Sequence, residues 1–331
     1  MSVSITVKGM EASGDIAKAF PEAYEHVIPV LGLYPGTDNT VELRLSDGRR
    51  KEIIITTGPL DSAVKLPESI DTTAAYMDGN VMFVIPAMGA LPAAYDYRGD
   101  CRWYCTENIT FAIKELQNGR FSIGSPRLLE KPYYTTGLWE MDLIGKIYAE
   151  YRLPGGYHHD QFEMEDGNLL ILTQEKNAAT AEDMCVLVDR GSGEIIKSWD
   201  YKKVLPQEAA KSGSWSEHDW FHNNAVWYDK RTNSLTLSGR HQDAVINIDF
   251  ETGELNWIIG DPEGWPEDMV SRYFFTPAGE GDFDWQYEQH ACMVLPNGDI
   301  MCFDNGHWRS KEKEHYVDAK DNFSRGVIYH I

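Results

Sequence analysis

The chain has 331 residues, 42% of them apolar, which is enough to bury one large core or two modest ones and excludes a disordered or fibrous protein. Acidic residues outnumber basic ones by 52 to 30, and the resulting formal charge of −22 argues against nucleic acid or an anionic membrane as a general partner. No apolar run approaches the roughly 18 residues of a membrane span, so no spanning helix is expected.

In chain order, the opening segment MSVSITVKGMEASGD has neither a basic n-region nor an apolar h-region, so no signal peptide is visible. Residues 1–62 read as a small N-terminal β-sandwich domain, with alternating strands in TVELRLSDGRRKEIIITTG joined across a Ser-Asp-Gly turn. Within it, ASGDIAKAFPEAYEHV (12–27) has the spacing of a short helix, interrupted at Pro21.

Residues 63–331 follow a different rhythm, and two elements alternate along them. One is an apolar residue, an aspartate, a few residues with a glycine, then a strand: YDYRGDCRWY, MDLIGKIYAEY, VDRGSGEIIKSW and IDFETGELNWII. Its aspartates are Asp96, Asp142, Asp189 and Asp249, at intervals of 46, 47 and 60 residues. The other is a turn followed by an apolar strand: MDGNVMFVI, LQNGRFSIG, EDGNLLILT, RTNSLTLSG and PNGDIMCFD. Together they make units of about four strands, near the roughly 40–50 residues of a β-propeller blade. The expected fold is all-β, a β-propeller catalytic domain after the N-terminal sandwich; a larger sandwich or a β-helix is the competing architecture. About five blade units can be counted. The terminal SRGVIYHI matches the strand that precedes the repeat's aspartate, so the last unit is expected to lack its closing strand, with C-terminal blade material missing.

Five cysteines, Cys101, Cys105, Cys185, Cys292 and Cys302, form no Cys-x-x-Cys pair. Buried free thiols are expected, with a Cys101–Cys105 bridge as the alternative.

Three histidines fall in register with the repeat. His159 and His290 each precede the glycine of their turn by eight positions, and His222 opens the corresponding strand of the unit between them. The first strand of each propeller blade lines the central channel, so residues at the heads of those strands converge on the axis. Each could instead be a structural hydrogen-bonding residue. The remaining histidines, among them His158 and His218, are read as surface or loop residues, with His241 and His307 as candidates to support the cluster. Asn224 shares a strand face with His222, and Arg240 ends the next strand, where a guanidinium would supply local positive charge for an anionic group. A surface ion pair is the plainer reading of Arg240.

Three imidazoles could bind zinc, but a neighbouring guanidinium repels a divalent cation. Neutral imidazole is also a competent nucleophile at pH 7. Transfer of a phosphoryl or sulfuryl group is mostly positioning plus stabilisation of charge on the non-bridging oxygens. A sulfuryl group carries less charge than a phosphoryl dianion, so one arginine with neutral donors suffices. No phosphate loop is evident, and none of the several cations or magnesium carboxylates that usually accompany phosphate.

At HDQFEMEDGNLLIL, DWFHNNAVWYD, LSGRHQDAVINI, WIIGDPEGW and EGDFDWQYEQHACMV followed by FDNG, the sequence resembles the bacterial arylsulfate sulfotransferases, and HVIPVLGLYP is similar to that family's small β-domain. The resemblance covers essentially the whole chain. It implies a six-bladed propeller that moves a sulfuryl group from a phenolic sulfate ester to a phenol without a nucleotide sulfate donor or other cofactor. It implies His290 as a nucleophile that becomes transiently sulfated, with ping-pong kinetics. His159, His222, Asn224 and Arg240 would hold the sulfuryl oxygens, and His222 would exchange a proton with the phenols. Tyr157, Trp285 and Tyr287 are candidates to stack on the aryl ring or, equally, packing residues. Partners would be small aryl sulfates and phenols, with dimerisation through the N-terminal domain and a periplasmic location. Relative to the family the chain is short at both ends and lacks the cysteines of a loop before GDFDW. A non-catalytic ligand-binding propeller and a metal-dependent sulfate ester hydrolase are the alternatives.

Overall fold

Val3, Ile5 and Val7 alternate with polar residues along β1 (Val3–Val7), and this two-residue period buries all three on one face. The computed structural model describes residues 1–77, 79–86, 89–107, 109, 111–130 and 134–331. β1 pairs antiparallel with β2 (Ile16–Phe20) and β3 (Asp38–Leu45), and β3 pairs with β4 (Arg50–Thr56), giving the order β2-β1-β3-β4. The β3–β4 hairpin turns at Gly48, whose φ of +89° requires glycine, at the Ser-Asp-Gly turn expected there.

One expectation for this segment is not met. The helix of 12–27 is only a single turn at Ala12–Gly14, followed by β2. Ile16 and Phe20 are four residues apart, a spacing that puts them on one face of either a helix or a strand, and the open edge of β1 decides for the strand. These four strands form one sheet, and Ile28, Val30 and Leu33, from an irregular segment, cover Ile5, Val7 and Val41.

The chain packs as two units. The first comprises Met1–Ile113, Arg120–Pro126 and Glu140–Tyr148. It contains a second sheet of β5 (Met82–Val84), β6 (Ala93–Tyr95) and β7 (Cys101–Tyr104). The buried Arg102 of β7 ties that sheet to the first. Its Nε donates to the Gly32 carbonyl at 2.8 Å, and Nη1 reaches Asp96 at 2.8 Å, the Tyr34 hydroxyl at 3.0 Å and the Gly14 carbonyl at 3.1 Å.

The short strands β8 (Lys114–Glu115) and β9 (Phe121–Gly124) follow in the chain, then β10 (Leu128–Glu130), β11 (Tyr134–Met141) and β12 (Ile147–Tyr157), with both β10 and β12 pairing with β11. In the second unit come two whole four-stranded antiparallel sheets in chain order. The first is β13 (Gln161–Glu163), β14 (Leu169–Thr173), β15 (Met184–Val188) and β16 (Ile195–Asp200). The second is β17 (Asn223–Asp229), β18 (Ser234–Gly239), β19 (Ala244–Asp249) and β20 (Leu255–Gly260). A third has three strands, β21 (His290–Val294), β22 (Ile300–Asp304) and β23 (Arg325–Tyr329).

Successive side chains of one strand serve different cores, because they point to opposite faces. Ile246 and Ile248 of β19 join Leu170, Leu172 and Trp199 of the preceding sheet, whereas Val245 joins Cys292, Val294, Ile300 and Cys302 of the following one. The recurring aspartates prove to be turn formers. Asp189 and Asp249 each accept from backbone N–H groups three residues on, Ser192 and Thr252, both at 2.7 Å, and so turn the third strand into the fourth. All five cysteines are free and buried, as expected.

Candidate active site

Each of the three in-register histidines sits at the head of the first strand of its sheet. His159 is two residues before β13, His222 immediately precedes β17, and His290 begins β21. His159 and His222 both lie at φ +52°, and Glu288 and Ala291 around His290 lie at +46° and +56°. Left-handed backbone at a non-glycine residue costs roughly 1–2 kcal/mol, so these bends at or beside the three strand heads are held by their surroundings. They bring one nitrogen from each ring within 4.8 Å of the others. The His159 ring lies 4.8 Å from His222 and 6.3 Å from His290, centroid to centroid.

Hydrogen bonds fix the protons on these rings. Nδ1 of His290 faces the Glu288 carbonyl oxygen at 3.3 Å and Asn305 Oδ1 at 2.7 Å. A backbone carbonyl only accepts, so Nδ1 carries the hydrogen and Nε2 the lone pair. Burial, reinforced by His222 and Arg240, lowers the pKa of His290 to about 4, against the hydrogen bond to Asn305, so the ring is neutral at pH 7.

His222 is the opposite case. Its Nδ1 lies 2.7 Å from Asp219 Oδ2 and 2.9 Å from Glu182 Oε2. Burial alone would discharge the ring, but the two carboxylates outweigh it and raise its pKa to about 9. The ring is therefore an imidazolium at pH 7, with Nε2–H as its remaining donor. Glu182 is fully buried and accepts the Tyr134 hydroxyl at 2.9 Å. Burial would raise its pKa, yet His159 and His222 hold it well below the usual carboxylate range.

Burial keeps His159 well below its ordinary pKa. Its Nδ1 lies 3.2 Å from Nδ1 of His158, whose Nε2 donates to the Thr173 carbonyl at 3.1 Å. His158, expected at the surface, is fully buried, because the ring is drawn under the end of β12 by that carbonyl.

Arg240 follows β18 directly and reaches Glu288 Oε2 at 2.6 Å through Nη2, and His241 Nε2 at 3.1 Å through Nη1. Its Nε is buried and has no hydrogen-bond partner among the described residues. The ion pair anticipated as a surface feature is thus internal, with a fully buried carboxylate. Glu288 is held further by His307 at 2.9 Å and Ser212 at 2.8 Å. His241 stacks on His222 at 4.5 Å. Asn224, also buried, donates from Nδ2 to the carbonyl of Gln289, the residue before His290, at 2.8 Å.

The structure therefore brings His159, His222 and His290 together, places Arg240 beside them through His241 and Glu288, and ties Asn224 to the backbone that carries His290. Sequence reasoning missed Glu182, Asp219, Glu288 and Asn305. Of these, Asp219, Glu288 and Asn305 stand in the segments DWFH, QYEQH and FDNG that border the register, and that adjacency was the available signal. Of the candidate stacking aromatics, Tyr157 is fully buried with its hydroxyl on Gln161, and Trp285 packs on Phe283 and Tyr329, so both serve packing. The spacing of the three imidazoles would suit a divalent cation, and the Arg240 guanidinium nearby counts against one.

Residues 67–331 match the family model described as arylsulfotransferase (ASST), and residues 1–60 match the arylsulfotransferase Ig-like domain. Among curated proteins, the chain is similar to the arylsulfate sulfotransferase AssT of Lelliottia amnigena and to that of Escherichia coli. Each is 24% identical over 317 residues, covering 74% of this chain and 52% of the relative. The chain thus spans about half the length of the curated relatives it matches.

Proposed function

We infer the chemistry of this cluster from the premise that the chain belongs to the arylsulfotransferase family. The reaction proposed is transfer of a sulfuryl group from an aryl sulfate to a phenol by way of a sulfated His290. The observation that carries it is the opposed basicity of two rings in one cluster: His290 neutral with its lone pair on Nε2, His222 charged with its proton on Nε2. Two titratable groups pushed apart by their surroundings are the mark of a nucleophile or base working with an acid.

In the first half-reaction Nε2 of His290 attacks sulfur, the N–S bond forms, and the S–O bond to the phenol breaks. The electron pair leaves on the phenolate oxygen, which takes the Nε2 proton of His222. The Nδ1–H of the sulfated ring stays on Asn305 and the Glu288 carbonyl, which face the positive charge it acquires. Arg240, with Nε and its remaining N–H groups, neutralises charge on the sulfuryl oxygens, and the second N–H of the Asn224 amide and His159 complete their surroundings. In the second half-reaction an acceptor phenol gives its proton back to His222 and its oxygen attacks sulfur, restoring His290.

Mass spectrometry of protein treated with a chromogenic aryl sulfate and no acceptor tests this directly. A gain of one SO3 on His290, discharged by added phenol, is expected, with chelators having no effect. Loss of turnover on chelation would instead favour a metal-dependent hydrolase, and binding without release a non-catalytic propeller.

The five sheets that follow the first in the chain are proposed as blades of the family's β-propeller, with β13–β16 and β17–β20 as two complete ones. Family resemblance also carries the proposals of a periplasmic location and a homodimer formed through the N-terminal domain. Osmotic-shock fractionation and sedimentation equilibrium test these; a cytoplasmic monomer would overturn both.

A further inference from the structure

We propose that Asp219 and Glu182 are positioning residues of the transfer: their carboxylates clamp Nδ1 of His222 from two sides and present its Nε2–H to the departing phenolate oxygen. This rests on the sulfuryl-transfer reading and adds to it the pair of groups that fixes where the proton sits.

The geometry carries the assignment. Two carboxylate oxygens meet at one ring nitrogen, at 2.7 and 2.9 Å. A single N–H can serve only one of them at a time, and two like charges converging on a neutral donor repel each other strongly in a buried site. A positive ring offsets that repulsion and a neutral one does not. Glu182 cannot swing away, because it is fully buried and its other oxygen accepts the Tyr134 hydroxyl at 2.9 Å. Asp219 is fixed through its backbone: its carbonyl accepts Nδ1–H of His241 at 2.6 Å and its amide donates to Ser216 Oγ at 3.1 Å.

The other groups facing His222 do not supply an alternative partner. His158, His159, His241 and His290 are each held below the ordinary imidazole pKa, chiefly by burial, and so face it as neutral rings. Arg240 lies beyond His241, on whose Nε2 it donates. The clamp also explains the second half-reaction. Once His222 has given up its proton, it is a neutral ring between two carboxylates, and the proton of the incoming phenol relieves that arrangement. The ring's pKa of about 9 lies within about one unit of a phenol's value of ~10, close enough for transfer in either direction.

The test uses Asp219→Asn, Glu182→Gln and the conservative Glu182→Asp in the full chain. Aryl release is followed from two esters, one with a nitrophenol leaving group and one with unsubstituted phenol. A poor leaving group needs the proton and a good one hardly does. Each neutral variant is expected to lower kcat/KM for phenyl sulfate by about a hundredfold and for nitrophenyl sulfate by only a few-fold. The alkaline limb of the pH profile should move down by about one unit or more, and Glu182→Asp should recover part of both effects. Equal losses on both esters with an unmoved alkaline limb would overturn the proposal. If the unaltered protein transfers no sulfuryl group from either ester, the transfer reading itself fails. Nitrogen NMR of the resting protein then decides the clamp separately: a lower titration midpoint for His222 in Asp219→Asn supports it, and an unchanged one overturns it. Asp219 is partly exposed, so this variant keeps the question open to test if Glu182→Gln does not fold.

Discussion

At pH 7 the ring of His290 is neutral and that of His222 is charged, and the two states have consequences for stability as well as for chemistry. The folded pKa of His222 is raised from 6.5 to about 9, so its contribution is fully present below pH 6.5 and is lost as pH rises through 9. The folded pKa of His290 is lowered to about 4, so folding is penalised progressively as pH falls from 6.5 towards 4. Melting temperatures across this range should peak near pH 6.5, with His222→Gln flattening the alkaline side and His290→Asn the acid side. The same two values predict a bell-shaped kcat/KM with limbs near 4 and near 9. Asn305 offers a sharper probe. Replacing it with alanine leaves Nδ1 of His290 only the longer contact to the Glu288 carbonyl, and should slow the sulfation step about tenfold, the equivalent of a hydrogen bond worth roughly 1.5 kcal/mol. Asn305→Asp should instead move the acid limb upward from 4, because a carboxylate favours the charged ring. Stopped-flow release of the aryl group over the pH range reads both changes. The histidines were legible because they recur at strand heads. Glu182 was not, since it lies in an irregular segment between strands, where spacing follows no period and only packing brings a carboxylate to a ring.

Elements were most legible where local chemistry decides them. The aspartates of the repeat were visible as a recurring pattern, and they form turns because a carboxylate oxygen satisfies backbone N–H groups that the chain reversal exposes, two and four residues on at Asp142 and three on at Asp189 and Asp249. Where tertiary contact decides, the text was ambiguous. Ile16 and Phe20 suit a helix or a strand equally, and the segment Ile28 to Leu33 covers a sheet without being one, which no alternation announces. The turn aspartates carry a prediction of their own. Asp249→Ala removes the acceptor for Glu251 at 2.9 Å and Thr252 at 2.7 Å and should cost about 1 kcal/mol, as loss of a comparable side-chain cap does. Asp189→Ala should destabilise in the same direction, and the double variant should be less stable than either single one. Urea unfolding monitored by tryptophan fluorescence measures this, and the rate of aryl release should stay unaltered, since neither residue touches the histidine cluster. A loss of several kcal/mol would mean that these turns hold more than their own hairpins.

For the whole molecule, the charge of −22 sets a condition that the site alone does not reveal. An aryl sulfate is an anion approaching a strongly negative protein, while a phenol acceptor is neutral below its pKa. Within the cluster itself, the cations His222 and Arg240 are each engaged by carboxylates, so attraction acts at contact distance and repulsion at long range. The two ranges respond differently to salt, because screening reaches about 10 Å at 0.1 M and weakens the far field before it weakens a buried pair. Raising ionic strength from about 0.01 M to about 0.2 M should therefore increase kcat/KM for the sulfate donor, through faster encounter, and leave that for the neutral acceptor unchanged. Ping-pong kinetics allow the two constants to be measured separately in one set of initial rates. A donor constant that falls as salt rises would mean that a positive field steers the ester inward, and that the charge balance assigned to the cluster is wrong.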